Sequence, residues 1–144
     1  MGSQGQSNYK GINAQAWAAM SLFLQHLRDP NFSYMHLEAP KFEDFNLVFK
    51  EEKKIICESK DWRQRFSFPH LKKILSSLLR KTAIGDKDEI LIICSNLDPK
   101  LKESVENAKY GSRFISPIFK RKHFSIQQIA VLNKVRFWKI EEKD

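Results

Sequence analysis

Residues 38–60 have the sequence EAPKFEDFNLVFKEEKKIICESK, which contains two candidate strands joined by a charged turn. Residues 44–49 alternate polar and apolar side chains, and residues 54–58 form an apolar, β-branched run, so each segment favours a β-strand. The charged run at 50–54 between them predicts a turn that makes the two strands antiparallel neighbours. We therefore expect a β-hairpin here.

The hairpin would bring acidic side chains together at one end. Successive strand residues face opposite sides of a sheet, so Glu58 and Lys60 leave the end of the second strand on one face, and Ser59 faces the other. Antiparallel pairing can place Asp44 beside Glu58. Two carboxylates next to a lysine suit a hard divalent cation, which would polarise a phosphate and lower the pKa of a water molecule.

A helix and a short strand are predicted before the hairpin. Asn13 is a suitable N-cap and Pro30 ends the helix. Between them, apolar residues recur at the helical intervals of three and four and would form the stripe that faces the core: Trp17, Met20, Leu24 and Leu27. The short strand covers residues 34–38. Residues 1–10 are polar and rich in Gly, Ser and Gln, and we expect them to be flexible.

A second helix and a very apolar strand are predicted after the hairpin. Ser67 can cap the helix, whose apolar face contains Phe68, Leu71, Ile74, Leu75 and Leu78. Residues 89–94, EILIIC, form the most hydrophobic strand, and its position after a helix predicts a central strand reached by a crossover. The order α-β-β-β-α-β indicates an α/β fold with a mixed central sheet flanked by helices.

The last third of the chain gives weaker signals. Asp98 and Pro99 open a predicted helix that runs to about residue 109, and residues 110–119 form a predicted strand broken by Pro117. Ser125 then caps a final predicted helix, whose apolar residues are Ile126, Ile129, Leu132 and Val135.

Composition narrows the class of protein. The 144 residues are 42% hydrophobic, which favours one globular domain over residues 11–144. No apolar run approaches the ~18 residues of a membrane helix. Cys57 and Cys94 each lie in an apolar run, as is typical of reduced cysteines that pack in the core of a cytoplasmic protein. The net charge of +8 favours a polyanionic partner, nucleic acid or an acidic membrane surface.

Several short motifs together resemble the PD-(D/E)XK nuclease superfamily. They are an acidic residue on one strand, E-x-K at the end of the next, and the order α-β-β-β-α-β. Within that superfamily the chain is most similar to the N-terminal double-stranded-DNA endonuclease domains of bacterial antiphage effectors, such as nucleotide-sensing effectors or STAND NTPases. The likeness covers residues 11–95 and rests on these matches: Gly11-x-x-x-Gln15, Leu37-Glu38, Glu43-Asp44 and Glu58-x-Lys60 followed by a tryptophan and a helix.

The resemblance implies a restriction-endonuclease-like αβββαβ core and a role for each matched residue. Asp44 and Glu58, with the backbone carbonyl of Ser59, would hold Mg²⁺ or Mn²⁺, and Lys60 would orient the attacking water and stabilise the pentavalent phosphate. Two residues have supporting roles: Gln15 on the first helix, and Glu38 as a further metal ligand. In many members the acidic residue lies nearer the middle of its strand, so Glu43 and Asn46 remain alternatives for the position given to Asp44.

The resemblance also implies partners. The chain would form the N-terminal part of a longer protein, with a sensor or NTPase region in the same chain or complex, and activation can involve oligomerisation. Independently of the resemblance, clusters of basic residues would contact the phosphates of double-stranded DNA with little sequence preference and with strong salt dependence, although a solvated helix face explains Lys72 and Lys73 equally well. The residues predicted to do so are Lys72, Lys73, Arg113, Lys120, Arg121 and Lys122.

Two other functional classes remain open at the level of sequence. An inactive nucleic-acid-binding module of the same fold would be favoured if Asn46 occupied the metal position. A protein-interaction adaptor would use its positive charge only for solubility, and its acidic and basic strand ends would be ordinary surface salt bridges. Metal binding distinguishes the nuclease from the inactive module, and salt-dependent DNA affinity distinguishes that module from the adaptor.

Overall fold

The structure is a computed structural model. It describes the following residues: 3–37, 44–59, 65–81, 83–94, 96–104 and 123–139. Within these ranges the helices are α1 (Ser3–His26), α2 (Phe68–Lys81), α3 (Pro99–Ser104) and α4 (Ile126–Leu132). The strands are β1 (Phe32–Leu37), β2 (Asp44–Phe49), β3 (Lys53–Ser59), β4 (Arg65–Phe66), β5 (Glu89–Cys94), β6 (Asn96–Leu97) and β7 (Val135–Lys139).

The main sheet is mixed and has five strands in the order β1-β2-β3-β5-β7. Strands β1, β2 and β3 are antiparallel neighbours, whereas β3, β5 and β7 run parallel. Strands β4 and β6 form a separate parallel pair. The predicted hairpin is confirmed, and so is the central position of EILIIC, which pairs with β3 on one side and β7 on the other after the crossover through α2. The fold is mixed α/β, with helices flanking the sheet.

The turn of the β2–β3 hairpin is tighter than the run at 50–54 predicts. Phe49 pairs with Lys53, so the turn consists of residues 50–52. Glu51 and Glu52 have φ angles of 64° and 59°, in the left-handed region. Positive φ at successive turn residues matches the right-handed twist of the flanking strands, although it is costly for residues with a Cβ atom.

Helices cover both faces of the sheet. Helix α1 packs its residues Ala18, Ala19 and Leu22 on one face, against a cluster made of Phe45, Leu47, Phe49, Ile55, Cys57 and Ile93. Helices α2 and α4 pack on the opposite face, where Ile56, Ile90 and Ile92 meet the apolar side of α2. Successive side chains of a strand face opposite sides of the sheet. Phe45 and Phe49 of β2 and Cys57 of β3 therefore face α1, and the residues next to them in each strand face the α2 side. The predicted apolar face of α2 is confirmed.

Helix α1 differs from its prediction in two respects. It begins at Ser3, so Asn13 lies inside the helix and is not its N-cap. The apolar stripe that we expected to face the core is exposed instead, whereas the smaller residues Ala18 and Ala19 are fully buried. Small side chains allow the helix backbone to approach the bulky Phe45 and Phe49 of the sheet closely, and this packing outweighs the local hydrophobic pattern.

The C-terminal part contains a strand that the sequence pattern did not predict. Ser125 caps α4 as expected, with a capping box in which Gln128 N donates to Ser125 Oγ and Ser125 N donates to Gln128 Oε1. The helix ends at Leu132, and Val135 begins β7. The prediction that Val135 belongs to the final helix is therefore wrong. Val135 and Phe137 are buried beside β5, and sheet pairing decides their conformation. The predicted strand at 110–119 lies outside the described residues.

A buried carboxylate connects the beginnings of β3 and β5. Asp88 is 4% exposed, and its oxygens accept hydrogen bonds from Lys54 N at 3.0 Å and Gly85 N at 2.8 Å. The ammonium of Lys54 lies 3.3 Å from Asp88 Oδ2. These contacts hold the loop before β5 against the first residues of β3, where Ile55 pairs with Glu89.

None of the helices described above is both long enough and apolar enough to cross a membrane.

Candidate active site

Asp44 and Glu58 lie directly opposite each other in the sheet. Asp44 is the first residue of β2, Glu58 is the last but one of β3, and the register pairs them. Directly opposite residues of an antiparallel pair project from the same face with Cβ atoms about 4.5–5.5 Å apart. Both residues are half-buried. The pairing predicted from the sequence is therefore present, and it brings two carboxyl groups to one end of the hairpin.

This carboxylate pair lies on the face of the sheet that α2 covers. Its chain neighbours Phe45 and Cys57 belong to the cluster on the α1 side, so the alternation of side chains directs Asp44 and Glu58 to the opposite face. Asn46 shares that face, but its register partner is Ile56. Of the three alternatives for the acidic position, Asp44 is thus the one opposite Glu58, and Glu43 lies outside the described residues.

Gln15 reaches the same strand end from the opposite face. Its side chain is 9% exposed, and Gln15 Nε2 donates a hydrogen bond to the backbone carbonyl of Ser59 at 3.4 Å. This bond fixes the peptide that follows Glu58 against α1. A carbonyl oxygen has two lone pairs, so this bond alone does not prevent the Ser59 carbonyl from accepting a second partner. The structure therefore brings Gln15 to the segment that carries the predicted metal ligands.

The hydroxyl of Ser59 is a buried polar group with an open hydrogen-bonding capacity. Ser59 is 3% exposed, and its Oγ has no hydrogen-bond partner within the described part of the chain. A buried hydroxyl without a partner costs roughly 1–3 kcal/mol, so this position favours an additional polar group next to the strand end. The alternation of side chains along β3 predicts that Ser59 lies on the other face of the sheet from Glu58, but no local pattern indicates that its hydroxyl is buried.

The donors at this end of the hairpin fit a magnesium ion. Mg²⁺ commonly takes one or two protein carboxylates and retains several water ligands, and Asp44, Glu58 and the Ser59 carbonyl supply such oxygen donors. Among the described residues there is no group of three or more His, Cys, Asp or Glu side chains placed to hold a metal. The candidate site therefore consists of a carboxylate pair and a backbone carbonyl.

Two of the predicted site residues cannot be placed. Glu38 and Lys60 lie outside the described residues; in sequence they directly follow the ends of β1 and β3.

Cys57, the chain neighbour of Glu58, is a packing residue. Burial raises the pKa of the Cys57 thiol far above its usual range, and the Glu58 carboxylate raises it further. The thiol is therefore neutral and packs as a small apolar side chain. Cys57 and Cys94 are both buried and free of disulfides, as expected from the sequence.

The predicted DNA-binding residues are only partly described. Lys73 is exposed on α2, the helix that covers the carboxylate face. Lys72 lies over the rings of Phe68 and Phe124, with its ammonium 5.0 Å and 6.0 Å from the ring centroids. The remaining four lie outside the described residues: Arg113, Lys120, Arg121 and Lys122.

Comparison of the chain with protein-family models, with curated proteins and with solved structures finds no match.

Proposed function

We propose that the chain is a metal-dependent endonuclease domain of the PD-(D/E)XK type, which hydrolyses phosphodiester bonds of double-stranded DNA in the cytoplasm as an antiphage effector. The observation that carries the proposal is the Asp44–Glu58 pair at the end of β2 and β3, followed in sequence by Lys60. A carboxylate pair of this kind, with a lysine two positions later, is the arrangement that the superfamily motif describes.

The topology supports the same proposal. Three antiparallel strands follow α1, and α2 then leads to β5, which pairs in parallel with β3. This is the order expected of a restriction-endonuclease-like αβββαβ core. Strands β3 and β5 run parallel, so the carboxyl end of β3, with Glu58, lies at the same edge as the end of β5.

Each residue of the proposed site has a distinct task. Asp44, Glu58 and the Ser59 carbonyl would hold Mg²⁺ or Mn²⁺, and Glu38 would add a carboxylate ligand. When bound, the cation supplies Lewis-acid chemistry at the phosphate and the attacking water. Lys60 orients that water and stabilises the negative charge that develops on the phosphate. Gln15 positions the Ser59 carbonyl through the hydrogen bond that it donates.

The charge of the chain supports DNA as the substrate. A net charge of +8 attracts a polyanion, and phosphate contacts by basic side chains give binding that is independent of sequence. The proposed contacts are those predicted from the sequence: Lys72, Lys73, Arg113, Lys120, Arg121 and Lys122. A sensor or NTPase region in the same chain or complex would control the activity.

The response of the melting temperature to divalent cations tests the metal site. A ligand that binds only the folded chain stabilises it by RT ln(1 + [L]/Kd), about 1.4 kcal/mol at ten times Kd, so Mg²⁺ or Mn²⁺ should raise the melting temperature by several degrees. The double variant Asp44→Ala, Glu58→Ala should lose this rise. The matched control is Glu51→Ala, Glu52→Ala, which removes two exposed carboxylates from the other end of the hairpin and should keep it.

Two outcomes would contradict the proposed site. In the first, the cations raise the melting temperature of the Asp44 and Glu58 variant as much as that of the wild-type chain. In the second, the control variant loses this increase to the same extent. A chain that binds duplex DNA but shows no response to either cation would instead favour the inactive module.

A further inference from the structure

The outer face of α1, continued by Leu27 in the turn after the helix, carries an apolar stripe that covers no part of the described core. Four large side chains are exposed: Trp17 by 58%, Met20 by 45%, Leu24 by 60% and Leu27 by 51%. Successive residues of an α-helix are rotated by about 100° around its axis. On this basis the four exposed side chains point, on average, about 170° away from the direction of Ala18, Ala19 and Leu22, which face the sheet. The stripe therefore points away from the sheet.

The spacing of the stripe is the spacing by which one helix packs against another. Its residues follow intervals of three, four and three, the seam pattern of paired α-helices. On a two-fold axis the stripe of one copy would meet the same stripe of a second copy, so such an interface requires no other apolar surface.

The absence of charge makes this surface accessible to a second copy of the chain. The chain has 29% charged residues and a net charge of +8, so two copies repel each other over most of their surfaces. Residues 11–27 contain no Lys, Arg, Asp or Glu, and the stripe lies within this uncharged stretch. Two copies can meet here without bringing like charges together, and the face offers no charge that would attract an oppositely charged partner.

The exposed area is that of a weak dimer. From their exposed fractions, the four side chains present on the order of 400 Å² per copy, or roughly 800 Å² for a pair. This is below the ~1,200 Å² at which stable specific interfaces begin and is typical of weak, transient contacts. An exposed apolar patch of this size is typical of an interaction surface.

We propose that the chain forms a symmetric homodimer through the outer face of α1, with Trp17, Met20, Leu24 and Leu27 of each copy packed against those of the other. The proposal concerns assembly and does not depend on whether the chain cleaves DNA.

Sedimentation velocity across the micromolar concentration range tests this proposal. The wild-type chain should sediment as a dimer, and Trp17→Glu combined with Leu24→Glu should weaken the dimer on the order of a hundredfold or more, because charges then replace central apolar contacts. The control is Ile126→Glu on α4, which places the same charge at an isolated apolar residue that is 87% exposed and should leave the dimer intact. Circular dichroism establishes that each variant is folded.

Cysteine crosslinking gives a second readout that leaves the stripe unchanged. Ser21→Cys lies beside Trp17 and Leu24 on α1, and the native thiols are buried, so a short bismaleimide should link the copies at this position. Ile126→Cys should not be linked. A wild-type chain that is monomeric throughout, a dimer unaffected by the two glutamates, or a monomer that instead floats with neutral phospholipid vesicles would each overturn the proposal.

Discussion

Replacement of Asp88 by alanine should lower the free energy of unfolding by about 3 kcal/mol, because two backbone amides lose their only carboxylate acceptor. Asp88 is 4% exposed and accepts hydrogen bonds from Lys54 N at 3.0 Å and from Gly85 N at 2.8 Å. Each donor left unsatisfied costs about 1–3 kcal/mol. The ion pair with Lys54 Nζ adds little to this sum, since the lysine side chain is 29% exposed and regains water.

Urea denaturation at neutral pH measures this loss, which should also lower the melting temperature by about 10 °C in a chain of this size. Asp88→Asn retains one acceptor oxygen and should lose about half as much. The control is Glu51→Gln, which removes the exposed ion pair with Lys87, whose charged atoms are 3.9 Å apart, and should change stability by less than about 0.5 kcal/mol. An Asp88→Ala variant as stable as this control would refute the argument.

Further predictions concern charge at the site, DNA contact and pH. Asp44→Asn should raise stability in the absence of metal by about 0.5 kcal/mol, because it removes a like-charge pair across two strands; a loss in urea denaturation would contradict this. Replacement of Lys120, Arg121 and Lys122 by alanine should weaken duplex binding for all sequences and reduce the salt slope by up to about 3, measured by fluorescence anisotropy; an unchanged slope would mean that they do not contact phosphates. Burial, assisted by Lys53, lowers the pKa of His26 below 6.5 despite Asp29 and Glu89, so the unfolded chain takes up the proton first as the pH falls. The contribution of His26 to stability is therefore present above pH 6.5 and decreases below it. The melting temperature of the His26→Gln variant should accordingly decline less between neutral and mildly acidic pH than that of the wild-type chain.

The hairpin and the crossover were predictable because local chemistry determines them. Alternation over residues 44–49 and the apolar run at 89–94 define those strands without reference to the rest of the fold. The Asp44–Glu58 pair is predictable for the same reason. Once the position of the turn is known, the pairing of residues along the two antiparallel strands is also known. A central part of the candidate site was therefore accessible from sequence.

The contacts that could not be predicted depend on how distant segments pack. The sequence shows the hydrophobic stripe of α1, but close approach to the sheet selects its alanines for the core. Val135 continues a helical pattern, yet pairing with β5 makes it a strand residue. The hydrogen bond from Gln15 to Ser59 joins residues 44 positions apart, and that from Lys54 to Asp88 joins residues 34 apart. Local sequence patterns do not indicate which of two residues so far apart in the sequence come into contact.

Plasmid cleavage by the wild-type chain and by Lys60 variants tests the proposed nuclease activity most directly. The wild-type chain should nick and linearise supercoiled plasmid with Mg²⁺ or Mn²⁺ and leave it intact with a chelator. Lys60→Ala should cleave slower by on the order of a hundredfold or more, with DNA affinity nearly unchanged, because this ammonium acts on charge that develops in the transition state. Lys60→Arg should not restore the rate, since a planar guanidinium does not replace a compact ammonium. The control Lys50→Ala, at an exposed turn residue, should cleave at the wild-type rate. A wild-type chain that leaves the plasmid intact with both cations, or a Lys60→Ala variant that cleaves as fast as the wild-type chain, would contradict the account.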